Sequence, residues 1–292
     1  MPVNGDPKCA ACRIKEACSR SQQPGDECEL QGLGRVRHSV MVMSGKGGVG
    51  KSTFSVNLAA LLASEGNRVG ILDADVHGPN IPRMLGIQGR RLEATSQGLE
   101  PVEAMENLKV VSMALLSENA DEPIVWRGPA KHKLIRRFST GVNWGELDLL
   151  IVDLPPGTGD EPLSVAKLVG RVDGSVVVTT PQDVAILDSR KAVIFSQMLG
   201  VPVLGIVENM SGMVCPHCGG RIDLFGTGGG QRAALELGVP FLGRIPIDTE
   251  MVGACDGGKP LVLAEAHSAV RIAYRDMAAR LVGKLASRPS SA

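Results

Sequence analysis

The stretch Ser44-Gly45-Lys46-Gly47-Gly48-Val49-Gly50-Lys51-Ser52-Thr53 lies between a short apolar run, residues 40–43, and a helical pattern over residues 54–63. Residues 45–52 match G-x-x-x-x-G-K-[ST] position by position. A strand, a glycine-rich loop and a helix in that order form the context that a phosphate-binding loop requires. We therefore predict that this loop binds the phosphates of a nucleotide. A glycine turn that carries a lysine by coincidence fits this context poorly.

The residue types of this loop suit ATP and Mg²⁺. Glycines let backbone N–H groups converge on a phosphate without Cβ clashes, and the helix N-terminus adds partial positive charge. Lys51 can reach the β- and γ-phosphate oxygens, and the Ser52 hydroxyl can hold Mg²⁺. The residues predicted to contact ATP here are Gly45, Lys46, Gly47, Gly48, Val49, Gly50, Lys51, Ser52 and Thr53.

Lys46 is a second lysine, close to the start of the loop. A lysine there can reach across a dimer interface and offset charge that develops on the partner's nucleotide. The loop resembles the deviant Walker A loop of the family that contains the Min-type, ParA-type, nitrogenase iron-protein and Mrp-type ATPases. That resemblance implies that Lys46 acts in trans, as a catalytic residue in a homodimer that sandwiches two nucleotides.

Composition excludes several classes of protein. The 292 residues include 31 Lys+Arg and 31 Asp+Glu, so no global basic field attracts nucleic acid. Aromatic residues make up only 3% of the chain, which leaves little for stacking on bases. No apolar run reaches the roughly 18 residues of a membrane span, and the first residues lack the pattern of a secretory signal. We expect a cytoplasmic protein with no nucleic-acid or membrane partner.

The chain divides into three parts by pattern. Residues 1–35 are cysteine-rich and lack apolar periodicity, residues 36–286 alternate apolar runs with helical patterns, and the tail, residues 287–292, is expected to be disordered. Continuous apolar strands that alternate with helices predict an α/β fold with a doubly wound, mostly parallel sheet. The predicted strands are 68–72, 109–113, 148–152, 174–179 and 203–207, and the predicted helices are 51–64, 129–139, 161–169, 183–199, 231–237 and 268–286.

Acidic residues follow two of the predicted strands, where ligands bind in open α/β sheets. Asp153 follows four apolar residues and precedes Pro-Pro-Gly-Thr-Gly, so it is the expected Walker B acid beside Mg²⁺. Asp73 and Asp75 close another strand. We assign Asp75 to the attacking water and Asp73 to a structural or magnesium-linked role. The alternative for such acids is a helix N-cap.

The resemblance narrows to Mrp-type proteins over most of the chain. It rests on Asp73-Ala74-Asp75-Val76-His77-Gly78-Pro79-Asn80-Ile81-Pro82, Trp126-Arg127-Gly128-Pro129, Asp153-Leu154-Pro155-Pro156-Gly157-Thr158-Gly159-Asp160, Thr180-Pro181-Gln182, Glu208-Asn209-Met210-Ser211 and Cys215-Pro216-His217-Cys218. It implies an ATP-hydrolysing iron–sulfur cluster carrier, with Asn209, Pro246 and Asp248 at the adenine. The plainer interpretation of those three residues is loop structure.

Cys215 and Cys218 form a C-x₂-C pair that presents two thiolates from one turn to one metal. One chain lacks two further ligands, because Cys255 is alone and distant in sequence and is more often a small buried residue. Two copies supply four cysteines at a two-fold axis, which suits a bridging [4Fe–4S] cluster. His217, between the two cysteines, is expected to be exposed and not to bind the metal.

Cys9, Cys12, Cys18 and Cys28 form a second metal-ligand pattern. Zinc is the plainer assignment for four cysteines so close together. The resemblance favours a second iron–sulfur cluster, because cytosolic eukaryotic relatives carry C-x₁₃-C-x₂-C-x₅-C. This sequence has the C-x₂-C-x₅-C part without the upstream cysteine, so Cys28 is the expected fourth ligand.

Three functions are compatible with the loop. The first is a dimeric ATPase that assembles [4Fe–4S] clusters and transfers them to apo iron–sulfur proteins, with a related ATPase subunit as a possible replacement for one protomer. The second is ATP-driven electron transfer as in the nitrogenase iron protein, but there the bridging cysteines are single. The third is a ParA- or Min-type positioning ATPase, which neutral charge and the lack of a basic amphipathic C-terminal helix disfavour.

Overall fold

The computed structural model describes residues 36–75, 78–96, 98–116, 141–169, 172–264 and 268–287. All of them belong to the larger of two units of the chain, Gln31–Ala292. The strands are β1 (Val36–Met43), β2 (Val69–Asp73), β3 (Glu93–Thr95), β4 (Gly98–Glu100), β5 (Val102–Met105), β6 (Leu108–Ser112), β7 (Leu147–Asp153), β8 (Gly174–Thr179), β9 (Val203–Glu208), β10 (Met213–Val214), β11 (Arg221–Ile222) and β12 (Phe241–Arg244). The helices are α1 (Lys51–Ser64), α2 (Ile81–Met84), α3 (Asp160–Val169), α4 (Asp183–Met198), α5 (Gly229–Glu236), α6 (Glu250–Asp256) and α7 (Ala269–Ala286).

Eight strands form the main sheet, in the order β12-β9-β8-β1-β7-β2-β6-β5. Every pair in it is parallel except β5 with β6. The central strands are apolar on both faces because helices cover both. In β1, Val40 and Val42 join the core beneath α1 and α7, whereas Met41 and Met43 face the opposite core. The predicted doubly wound α/β sheet is confirmed.

The parallel strands end together along one edge of the sheet. In the register of β2 and β7, Asp73 pairs with Asp153, and in that of β8 and β9, Thr179 pairs with Glu208. The phosphate loop leaves β1 at the same edge and enters α1. The residues predicted to act on a nucleotide therefore lie at the edge where ligands of such sheets bind.

The predicted long elements match to within a residue or two, and the short ones were missed. Helix α1 has the predicted bounds, and β7 is one residue longer at each end. Sequence patterns did not predict β12, β5 or the small hairpins, because each contributes only two to four residues and few of them are buried. The predicted helix at 129–139 and the tail beyond Ser287 lie outside the described residues.

We expect Phe54→Ala to lower the free energy of unfolding by about 3–5 kcal/mol, the usual cost of truncating a buried aromatic ring. Phe54 is 1% exposed and stacks on Tyr274 with ring centroids 5.8 Å apart, which joins α1 to α7. Urea denaturation measures the loss. The matched control is Val184→Ala on the exposed side of α4, where Val184 is 66% exposed and truncation should cost little. Equal losses in the two variants would contradict the assignment of this core.

Candidate nucleotide and cysteine sites

Two glycines of the phosphate loop are required by close contacts. A Cβ on Gly45 would lie 2.1 Å from the Asp188 carbonyl oxygen of α4, and one on Gly50 would lie 2.1 Å from the Asn209 Nδ2. Gly50 also has φ 84°, a left-handed conformation that disfavours other residues, and it immediately precedes α1. By contrast, a Cβ on Gly47 or Gly48 would meet nothing within 4 Å. The loop is thus anchored at both ends and open in its middle, where a phosphate has room.

Asp153 is the centre of the hydrogen-bond network beneath this loop. Its Oδ2 accepts from Lys51 Nζ at 2.6 Å and from Ser52 Oγ at 2.6 Å, and its Oδ1 accepts from Ser55 Oγ at 2.6 Å. Asp153 is fully buried and Lys51 is 6% exposed. The predicted Walker A lysine, the predicted Mg²⁺ hydroxyl and the predicted Walker B acid are therefore brought together. The hydroxyl and carboxylate oxygens are the ligand type that Mg²⁺ prefers.

Ser55 was missed in the sequence, although it completes this network. It lies one turn after Lys51 and Ser52 on α1, so all three side chains reach the carboxylate from the first turns of one helix. The available signal was the spacing Lys51–Ser55, which places both residues on one helix face.

The other two acids differ in burial. Asp73 is 2% exposed and accepts a hydrogen bond from Ser112 Oγ at 2.8 Å. Burial, together with the nearby charge of Asp153, raises the pKa of Asp73 to about 7. Asp75 is half-buried at the edge, and its Oδ1 accepts from the Gly78 N–H at 3.2 Å. Asp73 is thus buried and Asp75 is the more accessible acid, and the roles assigned to both stay predictions.

The segment after Asp153 contacts the start of the phosphate loop. The Gly157 N–H donates to the Ser44 carbonyl at 2.9 Å, and the Leu154 N–H donates to the Val42 carbonyl at 3.1 Å. Gly157 has φ 92°, so a glycine suits this turn. The segment is therefore hydrogen-bonded to the end of β1 and the first residue of the phosphate loop, and its role as a switch loop stays a prediction.

Asn209 joins the phosphate loop to the end of β9. Its Nδ2 donates to the Val49 carbonyl at 2.9 Å, and its placement at the adenine stays a prediction. Asp248 instead accepts from the Glu250 N–H at 2.8 Å at the start of α6, as loop structure predicts. Asp248 also lines a cavity of about 280 Å³ with Glu250 and Ser268. Pro246 lies in the loop that follows β12, before this turn.

Cys215 and Cys218 lie in the turn between β10 and β11. The Cys215 N–H donates to the Gly220 carbonyl and the Gly219 N–H donates to the Cys215 carbonyl, both at 2.9 Å, which closes the turn. Hydrogen bonds from the Cys218 and His217 N–H groups lower the pKa of the Cys215 thiol. The thiolate is the form that binds metal. Cys218 and His217 are exposed, as expected for His217.

Each chain supplies two cysteines to this turn and no further ligand within the described residues. Among those residues, no group of three or more His, Cys, Asp or Glu side chains is arranged to hold a metal ion. Cys255 is half-buried at the end of α6, where burial raises the pKa of its thiol and the Thr53 side chain is its hydrogen-bond partner. The other predicted ligands, Cys9, Cys12, Cys18 and Cys28, and the segment 126–129 lie outside the described residues.

Glu208 begins the motif over residues 208–211, but no role was assigned to it from the sequence. It ends β9 beside Asn209, and its side chain is fully buried. Its carboxylate accepts from Ser211 Oγ at 2.5 Å, from the Gly228 N–H at 2.8 Å and from the Gly230 N–H at 2.6 Å. These donors lie on both sides of the cysteine turn. The signal in the sequence was an acid after a buried strand, the same signal that located Asp153.

A glycine-rich loop between β1 and α1, with its lysine and serine beside a buried strand-end aspartate, defines a P-loop NTPase. The chain belongs to the family described as "ParA: NUBPL iron-transfer P-loop NTPase", whose model matches residues 35–282. The resemblance read from the sequence is therefore confirmed.

Two curated relatives carry the name iron-sulfur cluster carrier protein. The one from Methanocaldococcus jannaschii is 43% identical over 283 residues, which cover 96% of this chain and 97% of the relative. The one from Methanococcus maripaludis is 46% identical over 257 residues, which cover 87% of this chain and 89% of the relative.

Solved structures agree on the fold. The nucleotide-binding protein from Archaeoglobus fulgidus in complex with ADP matches with a TM-score of 0.70 and 39% identity, covering 80% of this chain and 90% of that one. The septum site-determining protein MinD from Pyrococcus horikoshii, complexed with Mg-ADP, matches with a TM-score of 0.65 and 21% identity, covering 86% and 97%. The second match shows the fold alone.

In the described part of this chain, no helix combines the length and the apolar character needed to cross a membrane.

We expect the stability of the nucleotide-free protein in EDTA to fall as the pH rises towards about 7, the raised pKa of Asp73. Between its unfolded and folded pKa values, Asp73 keeps its proton only in the native state, so raising the pH favours unfolding. Above the folded-state pKa of Asp73 this loss of stability is complete, because Asp73 is then ionised in both states. Thermal unfolding of the wild type and of Asp73→Asn from pH 4 to pH 8 measures this effect, since the difference between them isolates Asp73. A difference that does not vary with pH would contradict the raised pKa.

Proposed function

We propose that this protein is an ATP-dependent carrier that holds a [4Fe–4S] cluster between two copies of the chain and transfers it to apo iron–sulfur proteins. The observation that carries this proposal is the Cys215–Cys218 turn, which presents two cysteines, one of them exposed, on the segment that follows Asn209. Asn209 in turn contacts the phosphate loop. The curated relatives named iron-sulfur cluster carrier proteins support the same function, since their matches cover 96% and 87% of the chain.

The stoichiometry of the cysteines supports a bridging site. A [4Fe–4S] cluster takes four thiolates, and the described residues of one chain offer two in this turn. A second copy related by a two-fold axis supplies the other two. The lowered pKa of the Cys215 thiol favours the thiolate that iron binds. Exposure of Cys218 gives an acceptor protein access to the site, which favours a transferable cluster over one retained for electron transfer.

ATP binding in this proposal uses the residues gathered around Asp153. Lys51 would exchange the Asp153 carboxylate for the β- and γ-phosphates, and Ser52 and Asp153 would hold Mg²⁺, which neutralises phosphate charge when bound. Asp75 would orient the attacking water, since it is the accessible acid at this edge. Lys46 would serve the partner's nucleotide across the dimer, and Asn209, Pro246 and Asp248 would lie at the base. Placement in the cytoplasm stays a prediction.

The N-terminal cysteines would form a second, separate metal site in this proposal. Cys9, Cys12, Cys18 and Cys28 provide four thiolates within one chain, so this site does not require a dimer. Either a second iron–sulfur cluster or zinc satisfies that ligand set, and the metal content of the purified protein decides between them.

We expect Lys51→Ala to abolish nucleotide binding, because the phosphate charge loses its buried counter-ion. Lys46→Ala should still bind nucleotide but hydrolyse it poorly, because this lysine acts on the partner's nucleotide. Isothermal titration with ADP and ATP measures binding, and phosphate release measures turnover. An equal loss of binding in the two variants would overturn the assignment of Lys46 to the partner's site.

We expect the bridging site to retain about four irons per dimer, the stoichiometry of a cuboidal cluster, after anaerobic reconstitution of a chain whose Cys9, Cys12, Cys18 and Cys28 are all alanine. Cys215→Ala and Cys218→Ala in that background should each lose the iron and weaken the dimer, because whatever binds only the dimer stabilises it. Both should still bind ATP.

Cys255→Ala is the matched control, since it removes a thiol outside the turn and should keep the iron. Iron analysis with analytical ultracentrifugation gives both quantities, and transfer to an apo-acceptor tests delivery. A monomer with one tightly held zinc would show that the metal is structural and would rule out the bridging cluster.

A further inference from the structure

The cysteine turn belongs to an excursion of the chain that leaves β9 and returns at α5, residues 209–228. Both ends of this excursion bind one buried carboxylate. On the outgoing side Ser211 Oγ donates to Glu208 Oε1, and on the returning side the N–H groups of Gly228 and Gly230 donate to Oε1 and Oε2. Because these hydrogen bonds are made to a buried carboxylate, they are among the stronger ones in proteins. Glu208 therefore closes the base of the excursion.

The glycine-rich segment before α5 looks like a second anion-binding loop, but the chain's own carboxylate occupies it. Gly228 has φ 84°, and the N-terminus of α5 points its free N–H groups at Glu208. A Cβ on Gly230 would lie 3.1 Å from the Glu208 Cβ, and one on Gly229 would lie 2.2 Å from the Pro181 carbonyl oxygen. The glycines thus allow the helix to approach this carboxylate, and the segment is not a second phosphate site.

The base of the excursion is also tied to the nucleotide site, by two contacts. Asn209, the residue after Glu208, donates to the Val49 carbonyl in the phosphate loop at 2.9 Å. The Ile247 N–H donates to the Gly212 carbonyl at 2.8 Å, and Ile247 pairs with Met213 of β10. The cysteine turn begins two residues after Met213. A shift of the phosphate loop therefore has a short, continuous path to the cysteines.

We infer that Glu208 is a positioning residue that makes the cysteine excursion move together with the end of β9. Nucleotide binding to the phosphate loop, which contacts β9 through Val49 and Asn209, then changes the accessibility of Cys215 and Cys218. The inference rests on the proposed function, to which it adds the route between its two sites. Separating either end of the excursion from Glu208 would remove a hydrogen-bond donor from a buried carboxylate, which is costly. When Asn209 moves with the phosphate loop, the Glu208 carboxylate therefore keeps both ends of the excursion together. Without the charge the excursion would move independently of β9.

The test measures alkylation of Cys215 and Cys218 by iodoacetamide in the full, metal-free chain, with rates resolved by peptide mass spectrometry. Rates with and without the non-hydrolysable analogue AMPPNP and Mg²⁺ should differ by at least about fivefold in the wild type, the lower end of typical coupling between sites. Glu208→Gln should bind the analogue with unchanged affinity and lose this difference. If Glu208 had only a structural role, Glu208→Gln would change the affinity for AMPPNP or the fold. Any variant protein that still bound AMPPNP would then keep the nucleotide-dependent difference in alkylation rate.

Glu236→Gln is the matched control, because it makes the same change at a carboxylate outside residues 209–228. Glu236 ends α5, is exposed and pairs with Arg190 of α4, so the variant should keep the wild-type difference. Where Glu208→Gln does not fold by circular dichroism, Ser211→Ala takes its place, because it removes one donor and leaves the start of α5 intact. Ser211→Ala should reduce the difference.

The inference is overturned if the wild-type rates do not depend on nucleotide, or if the variant that folds keeps the full wild-type difference. Iron is not involved in these measurements. A chain that passes them and still binds no cluster would contradict the proposed function and leave the positioning role of Glu208 intact.

Discussion

The buried contact between Lys51 and Asp153 is the interaction on which the rest of the site depends. Removing both charges from water is costly, and a pair in the interior is favourable only when the remaining hydrogen-bonding capacity is also satisfied. Ser52 and Ser55 provide this, since both hydroxyls donate to the same carboxylate. Helix α1 is thereby fixed against the end of β7, and the phosphate loop that precedes it is held in place. Lys51 is thereby buried against an anion at the end of the phosphate loop, as its proposed exchange of Asp153 for phosphate requires.

Three acids at the same edge of the sheet show how far surroundings determine the role of a residue. Asp153, Asp73 and Glu208 each end a buried strand. Asp153 is paired with a lysine, and Asp73 has a raised pKa beside Asp153. Glu208 accepts from a hydroxyl and two backbone N–H groups, and Arg244 lies 3.4 Å away. The decisive partners are far away in sequence: Ser112 lies 39 residues from Asp73 and Gly230 lies 22 residues from Glu208. An acid after an apolar run therefore predicts a place at this edge and leaves the role open.

The difference between locating a residue and assigning its role also explains what could be predicted from the sequence. Helix α1 and strands β7 and β8 were located because long apolar patterns report burial directly, and the phosphate loop because its chemistry requires fixed spacing. Strands β12 and β5 were missed because a strand of four residues at or near the edge of the sheet depends on its neighbour for hydrogen bonds and carries little pattern of its own. The cysteine pair was found from its spacing. Its attachment to Glu208 and Asn209 was not, because those contacts join residues that no local pattern relates.

The arrangement around β9 separates a rigid base from an exposed tip. Glu208 and Asn209 are buried and bind the start of α5 and the phosphate loop, whereas Cys218 is exposed in the loop between the short strands β10 and β11. A carrier needs both properties, because a site that gives up its cargo must be accessible and a site that responds to nucleotide must be connected to it. Consecutive side chains of a strand end point in opposite directions, so neighbouring residues can contact two different elements. The end of β9 therefore supports the phosphate loop through Asn209 and the cysteine excursion through Glu208, two consecutive residues.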